Sequence, residues 1–115
     1  MSIKNSHVTI MVKDMDVSIS FYQTIGFTLG QRWQNDYAML AAPGIVIGLH
    51  PIEKSPAAKG SGNVSLGFTS DNFEETIVLL NNAGIQSEIR AEEAGDFVHF
   101  KDPDGTELYF INPKY

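Results

Sequence analysis

The chain has 115 residues, of which 43% are hydrophobic, and this length suits one domain with a core of its own. The absence of cysteine excludes disulfides and thiolate metal sites and fits a cytoplasmic location, and a formal net charge of −6 argues against nucleic acid or an anionic membrane as partner. No signal peptide is visible at Met1–Ser6 and no apolar run approaches the roughly 20 residues that span a bilayer, so we expect a soluble protein with a neutral or cationic ligand.

The first half of the chain is predicted to form a β-α-β-β-β module. His7 to Val12 alternates along the chain as a half-buried strand does, with His7 on the same face as Thr9 and Met11. The next three strands are separated by turn residues and are predicted at 27–33, 37–41 and 45–50. Between the first two strands, Asp14 or Asp16 is placed to cap a helix to about Ile25. Its predicted apolar stripe consists of Val17, Phe21, Tyr22 and Ile25.

The second half repeats this pattern after a segment rich in small and polar residues at 54–62, which we predict to be a surface linker. A strand is predicted at 63–70, then a helix to about Ala83 with Asp71 and Glu74 as its capping box. Strands at 85–89, 97–101 and 106–111 complete it. The chain 1–115 is thus predicted to be a single domain with module 1 at about 1–53 and module 2 at about 63–115.

The last two strands flank Asp102-Pro103-Asp104-Gly105, a tight-turn sequence that predicts a hairpin. Alternation separates their side chains into two faces. Val98, Phe100, Leu108 and Phe110 form the apolar core face, whereas Phe97, His99, Lys101, Glu107 and Tyr109 form the other, which has the composition of a pocket wall.

The two modules can be aligned with each other. Gly26-Phe27 lies 58 positions before Gly84-Ile85 (84 − 26), and the same offset places His7 on Ser65. For the last hairpins the offset is 61 (105 − 44), which makes Gly48 and Tyr109 equivalent positions. The chain therefore contains an internal repeat.

These motifs together resemble the vicinal oxygen chelate superfamily, which includes glyoxalase I, extradiol dioxygenases and the fosfomycin- and bleomycin-resistance proteins. The resemblance rests on the His7 strand, Phe21-Tyr22 within the helix, Gly26-Phe27 after it and the Asp-Pro-Asp-Gly turn, so it spans nearly the whole chain. It implies an α+β fold of two tandem β-α-β-β-β modules that form a curled mixed sheet, often as a homodimer.

In metal-dependent members of that superfamily, the metal ligands lie at positions that correspond here to His7, Gly48, Ser65 and Tyr109. A catalytic divalent ion usually needs about three imidazole or carboxylate ligands, and only His7 is of that type. Glu107 and His50 lie two residues from ligand positions, which is about 6.6 Å along a strand and too far for a metal bond. We therefore expect no cofactor, although a divalent metal remains an alternative.

The pattern that remains resembles the metal-free, bleomycin-resistance-like branch, in which aromatic walls hold a small molecule. The predicted ligand-binding residues are His7, Trp33, Tyr37, His50, Ser65, Phe97, His99, Glu107 and Tyr109. Several have a simpler interpretation: Trp33 as cover for a sheet end or a dimer contact, His50 as a solvated edge residue, and Glu107 as a surface charge. The leading hypothesis is a homodimeric protein that sequesters an aromatic or cationic molecule. The alternatives are a metal-dependent lyase or dioxygenase with a non-standard ligand set, and metal-free acid–base catalysis by His7, His99 and Glu107.

Overall fold

Each half of the chain folds as a strand, a helix and three further strands. The computed structural model describes residues 2–52, 64–93 and 95–113, so the predicted linker 54–62 lies outside the described residues. The chain divides into two compact units, Met1–Ala58 (unit 1) and Lys59–Tyr115 (unit 2). No helix in the described part of the chain is long and apolar enough to cross a membrane.

Unit 1 contains one helix and a four-stranded mixed sheet. Its elements are β1 (Val8–Val12), α1 (Met15–Thr24), β2 (Thr28–Trp33), β3 (Tyr37–Ala42) and β4 (Ile45–Pro51), and the strand order is β1-β4-β3-β2. β1 runs parallel to β4, and the other neighbours are antiparallel. The core residues alternate along the strands, and Leu40, Ile47 and Leu49 are fully buried.

Unit 2 has the same connectivity. Its elements are β5 (Ser65–Phe68), α2 (Phe73–Asn82), β6 (Ser87–Glu92), β7 (Gly95–Lys101) and β8 (Glu107–Pro113), and the strand order is β5-β8-β7-β6. Val98, Phe100, Leu108 and Phe110 are buried, as the alternation of the last hairpin predicts. The α+β fold of two tandem β-α-β-β-β modules is therefore confirmed.

Strand register supports the internal repeat. In unit 1, Thr9 pairs with Gly48 across the parallel strands, and in unit 2 Gly67 pairs with Tyr109. These pairs are related by the predicted offsets of 58 (67 − 9) and 61 (109 − 48). Gly48 and Tyr109 thus occupy the same place in their respective sheets.

Both helices end in the same way. Gly26 and Gly84 have positive φ angles of 120° and 73°, which favour glycine. The amides of Phe27 and Ile85 donate back to the carbonyls of Tyr22 and Leu80, as in a Schellman motif. Because Ile85 belongs to this cap, β6 begins at Ser87, two residues later than predicted.

The helix starts differ in part from the prediction. The Asp14 side chain accepts a hydrogen bond from the Val17 amide at 3.1 Å, which settles the choice between Asp14 and Asp16. In α2 the cap is Asn72, which accepts from the Glu75 amide at 3.0 Å, so the predicted capping box at Asp71 and Glu74 is wrong by one residue.

The predicted apolar stripe of α1 is also partly wrong. The buried residues are Met15, Ser18, Ile19 and Tyr22. Val17 is 50% exposed, because at 100° per residue it lies about 150° around the helix from the middle of this buried face. The pattern identified the helix but not the full set of side chains that it buries.

The Asp102–Gly105 turn forms as predicted. The Gly105 amide donates to the Asp102 carbonyl at 3.0 Å, and Gly105 has a φ of 90°. The Asp102 carboxylate is buried and accepts from the amides of Asp104 and Thr106 at 2.9 and 2.8 Å. This turn places Glu107 opposite Lys101 and Tyr109 opposite His99.

Candidate functional site

Three rings lie together on the sheet face of unit 2 that points away from the buried side chains. The centroids of Phe97 and His99 are 5.7 Å apart with nearly parallel planes, at 15°. The Tyr109 ring is 5.4 Å from Phe97 and 5.7 Å from His99. All three side chains are half-buried. We call this group the unit 2 ring cluster. The three meet because Phe97 and His99 alternate along β7 and Tyr109 pairs with His99 from β8.

A glycine makes room for the third ring. Gly67 pairs with Tyr109 across β5 and β8, and a side chain at Gly67 would overlap the Tyr109 ring and its hydroxyl. The phenol therefore lies over β5, on the side of β8 away from His99. Sequence reasoning did not single out Gly67, although a glycine within a predicted strand often marks such a close approach.

One polar atom in the unit 2 ring cluster lacks a hydrogen bond. His99 Nε2 is buried and has no hydrogen-bond partner among the residues that the structure describes. Buried polar atoms are nearly always paired, because desolvation without a new hydrogen bond costs about 1–3 kcal/mol. Such an atom inside a ring cluster marks a place where a ligand can contribute.

A charged pair borders the rings on β6. Glu88 lies opposite His99 and Arg90 lies opposite Phe97. Arg90 Nε is 2.6 Å from Glu88 Oε1, and this hydrogen bond, followed by the guanidinium charge, lowers the pKa of Glu88. The same hydrogen bond and charge raise the pKa of Arg90, and Glu92 and Glu107 add to that effect. Both side chains are exposed, so the pair contributes little to stability.

Unit 1 carries a second group of rings on the corresponding sheet face, the unit 1 ring group of Trp33, Tyr37 and His50. The centroids of Trp33 and Tyr37 are 5.8 Å apart, and those of Tyr37 and His50 are 6.3 Å apart with an edge-on geometry. The Tyr37 hydroxyl lies 3.4 Å from Thr9 Oγ1 and occupies the space that a side chain at Gly48 would need. In each unit, a tyrosine thus covers a glycine of the neighbouring strand.

Trp33 is 47% exposed and sits at the start of a restrained turn. Gln34 has a φ of 50°, which is uncommon for a residue other than glycine. Arg32 spans this turn, since its Nε donates to the Gln34 carbonyl at 2.6 Å and its Nη2 to Asn35 Oδ1 at 2.8 Å. Its Nη1 also lies 2.7 Å from Asp16 Oδ1 at the start of α1.

His50 has one nitrogen that is already engaged. Its Nδ1 lies 2.9 Å from the Pro51 carbonyl oxygen, and a carbonyl only accepts, so Nδ1 is the donor. In the neutral ring, Nε2 is then an acceptor on an exposed side chain.

The sequence as a whole also matches a family of known proteins. Residues 4–110 match the model of the Glyoxalase/Bleomycin resistance protein/Dioxygenase superfamily. The chain belongs to this superfamily. The predicted resemblance is confirmed at that level, while the metal-free, bleomycin-resistance-like branch remains a prediction.

Solved structures of this superfamily share the fold. A glyoxylase/bleomycin resistance protein/dioxygenase domain from Frankia sp. EAN1pec superimposes with a TM-score of 0.80 at 20% identity, covering 99% of this chain and 100% of that one. The fosfomycin resistance protein FosX from Listeria monocytogenes gives 0.80 at 17% identity, with 99% and 94% covered. A bleomycin-binding protein complexed with bleomycin gives 0.69 at 22% identity, with 97% and 100% covered. No curated protein matches the chain.

The residues at the superfamily's metal-ligand positions do not fit a divalent ion. Unit 1 offers His7, exposed just before β1, and Gly48, which has no side chain to coordinate with. Unit 2 offers a hydroxyl at Ser65 and a phenol at Tyr109. Among the described residues, no group of three His, Asp or Glu side chains is placed to hold a metal ion. Fewer than three such ligands is short of what a catalytic metal usually needs.

The structure brings six of the nine predicted ligand-binding residues into two ring groups, one in each unit. The other three are exposed at strand ends: His7 before β1, Ser65 at the start of β5 and Glu107 at the start of β8. Ser65 and Glu107 are direct neighbours across the parallel strands. Sequence reasoning missed Gly67 and the Glu88–Arg90 pair, although alternation along β6 places both charges on the ring face.

Proposed function

We propose that this superfamily member binds and sequesters a small aromatic or cationic molecule, and that it does so without a metal. The observation that carries the proposal is the unit 2 ring cluster, where Phe97, His99 and Tyr109 offer contiguous half-buried ring surface beside polar groups. Ring surface with a few polar atoms is the usual composition of a small-molecule site. The fold likeness to a bleomycin-binding protein supports this class of function.

Tyr109 is central to the proposal because it stands at a position where metal-dependent members carry a ligand. A neutral phenol is a poor ligand for a divalent ion, but its ring stacks and its hydroxyl forms hydrogen bonds. Its ring also fills the space beside Gly67. We therefore expect this position to contribute ring contact rather than coordination.

Charge favours a ligand that is neutral or positive. On the ring face of unit 2, three carboxylates, Glu88, Glu92 and Glu107, outnumber two cations, Arg90 and Lys101, and the chain carries a formal net charge of −6. Phe97 and Tyr109 also provide ring faces to which a cation is attracted. An anionic ligand would be repelled by the carboxylates and would gain nothing from the ring faces.

The test is a screen of aromatic and cationic compounds by thermal shift and calorimetry, with wild type, Tyr109→Ala and Tyr109→Glu. Tyr109→Ala should weaken an aromatic ligand by about 1–3 kcal/mol, the value of a buried ring contact. Tyr109→Glu should not create a metal site, because it adds one carboxylate where about three ligands are needed. Trp33 is the one tryptophan of the chain, so quenching of its fluorescence reports separately on whether a ligand also contacts the unit 1 ring group.

The second candidate is a metal-dependent lyase or dioxygenase with a non-standard ligand set, which superfamily membership favours. Elemental analysis of protein purified without chelator separates the two. A stoichiometric divalent metal, together with a melting temperature that chelator lowers and no aromatic ligand that raises it, would replace the binding function by the enzymatic one. Metal-free acid–base chemistry by His7, His99 and Glu107 has less support. His99 Nε2 has no hydrogen-bond partner among the described residues, so Glu107 does not hydrogen-bond to it.

We further propose a homodimer located in the cytoplasm. Each sheet leaves its ring face half-buried or exposed and has two edge strands, surfaces that a second copy can cover. The lack of cysteine fits a reducing compartment. Sedimentation at micromolar concentration should give the mass of a dimer, and a monomer there would contradict this part of the proposal.

A further inference from the structure

We propose that His99 Nε2 is the hydrogen-bonding anchor of the unit 2 ring cluster, and that its ligand is a planar aromatic molecule bearing a hydroxyl group on its edge. This inference rests on the proposed binding function and adds the chemical class of the ligand. It starts from the buried nitrogen for which the described residues supply no partner.

The neighbouring strands do not provide the missing hydrogen bond. On β6, Glu88 is the charged residue opposite His99, and its carboxylate is held by Arg90 at 2.6 Å. On β8, the hydroxyl of Tyr109 lies over Gly67, on the far side of that strand from His99. On β7 itself, Phe97 offers only an apolar ring, and it stacks on the imidazole.

A protein accepts such an atom at a cost. Replacing a buried, unpaired polar group by an apolar one of similar shape is neutral or stabilising, whereas leaving it unpaired costs its desolvation. Departures from complete hydrogen bonding are expected at functional sites, where the bound molecule completes the set. His99 is such a departure, located among rings that suit a flat ligand.

The surroundings define which polar group fits. The nearly parallel Phe97 and His99 rings and the tilted Tyr109 ring favour a planar aromatic body. A hydroxyl both donates and accepts, so it satisfies Nε2 in either neutral tautomer. A carboxylate in its place would meet three carboxylates on the same face, Glu88, Glu92 and Glu107, against two cations, Arg90 and Lys101. A neutral hydroxylated aromatic is the class that fits these conditions most simply.

The first arm of the test needs no ligand. His99→Phe in the full chain should leave the urea midpoint of unfolding unchanged or higher, because it removes an unpaired buried nitrogen and keeps a ring. Ile89→Leu, an exposed change on β6 that points to the opposite face of the sheet, sets the reference. A clear fall in the midpoint for His99→Phe beyond that reference would show that Nε2 has a partner within the protein, and would overturn the inference.

The second arm measures dissociation constants of 2-naphthol and 2-methylnaphthalene, which have similar shape and differ in the hydroxyl. The ratio of the two dissociation constants measures the preference for 2-naphthol over 2-methylnaphthalene. In wild type and in Ile89→Leu this preference should be larger than in His99→Phe by a factor of about 3 to 10, which is the value of one hydrogen bond. The imidazole ¹⁵N signals of wild type should also shift on addition of 2-naphthol and not of 2-methylnaphthalene. Because this measurement uses wild type alone, it holds whether or not His99→Phe folds.

The outcomes separate the two levels of the proposal. If both compounds bind wild type but the preference is the same in His99→Phe and the imidazole signals do not respond, the anchor is wrong and the binding function stands. If neither compound binds wild type, the aromatic binding function fails and the anchor fails with it.

Discussion

Unit 1 and unit 2 have the same connectivity and equivalent strand registers, but their helices are buried to different extents. In α1 four side chains are buried, among them Tyr22 with no exposed surface. In α2 only Leu80 is buried, and Val78 and Leu79 are 55% and 42% exposed. A shared chain topology thus leaves the packing of each helix to its own side chains.

The ring faces differ in a similar way. Tyr37 covers Gly48 in unit 1, whereas Tyr109, at the position equivalent to Gly48, covers Gly67 in unit 2. The tyrosine and the glycine have changed strands, yet the result in each sheet is a phenol over a strand that lacks a side chain. Equivalent backbones therefore carry two distinct ring surfaces.

The largest expected effect tests the difference between the helices. Tyr22→Ala should destabilise the protein by about 3–5 kcal/mol, because it leaves a cavity beside Phe21 and Phe27. Leu80→Ala should cost about 2–3 kcal/mol, the lower part of the usual range, since α2 has fewer buried neighbours that hold it in place. Urea unfolding measures both.

Exposed positions on the same helices serve as the controls. Val17→Ala in α1 and Val78→Ala in α2 should each change the free energy of unfolding by less than about 0.5 kcal/mol. Equal losses for Tyr22→Ala and Leu80→Ala would mean that the two helices are anchored to the same degree, contrary to the comparison.

The second prediction concerns the glycine under the unit 2 ring cluster. Gly67→Ala should destabilise the protein by about 1–3 kcal/mol and displace Tyr109, because the new methyl group overlaps its ring. The loss should shrink in a Tyr109→Ala background, where that overlap no longer exists. A double-mutant cycle on unfolding free energies checks this, and strictly additive losses would show that the ring and the glycine are independent.

A smaller gain is expected at the turn of unit 1. Gln34→Gly should stabilise the protein by about 0.5–1 kcal/mol, since the left-handed conformation is unfavourable for an L-residue and costs glycine little. Unit 2 has a glycine at the start of β7, Gly95, with a φ of 154°. Gln31→Gly, within β2, is the matched control and should destabilise. A loss of stability in Gln34→Gly would indicate that the glutamine side chain contributes contacts that outweigh the backbone strain.

The smallest effect concerns the exposed ion pair of unit 2. The hydrogen bond and charge of Arg90 lower the pKa of Glu88. The contribution of the pair to stability is therefore present above the ordinary carboxyl pKa of about 4, and it is lost as the pH falls through the lowered pKa. Arg90→Gln should return the pKa of Glu88 towards its ordinary value. Carboxyl ¹³C titration by NMR measures this, and an unchanged Glu88 titration in the variant would show that Arg90 is not the cause.

Much of the fold follows from local features that the sequence displays directly. Gly26-Phe27 and Gly84-Ile85 predicted where both helices stop, because a positive φ angle followed by an apolar residue is the local requirement of that cap. The Asp102–Gly105 turn was equally predictable, since its hydrogen bonds lie within five residues. The cap of α2 was assigned one residue too early because Asp71 and Asn72 both suit that role.

The sequence by itself determined the repeat, the strand faces and hence which rings share a surface, because alternation and spacing are properties of the chain alone. Only the tertiary structure decided that Tyr109 lies over Gly67, that Val17 is exposed, and that His99 Nε2 is buried without a partner in the described residues. Those facts depend on the rotamers and neighbours that a side chain meets across strands distant in sequence, and no local pattern encodes them.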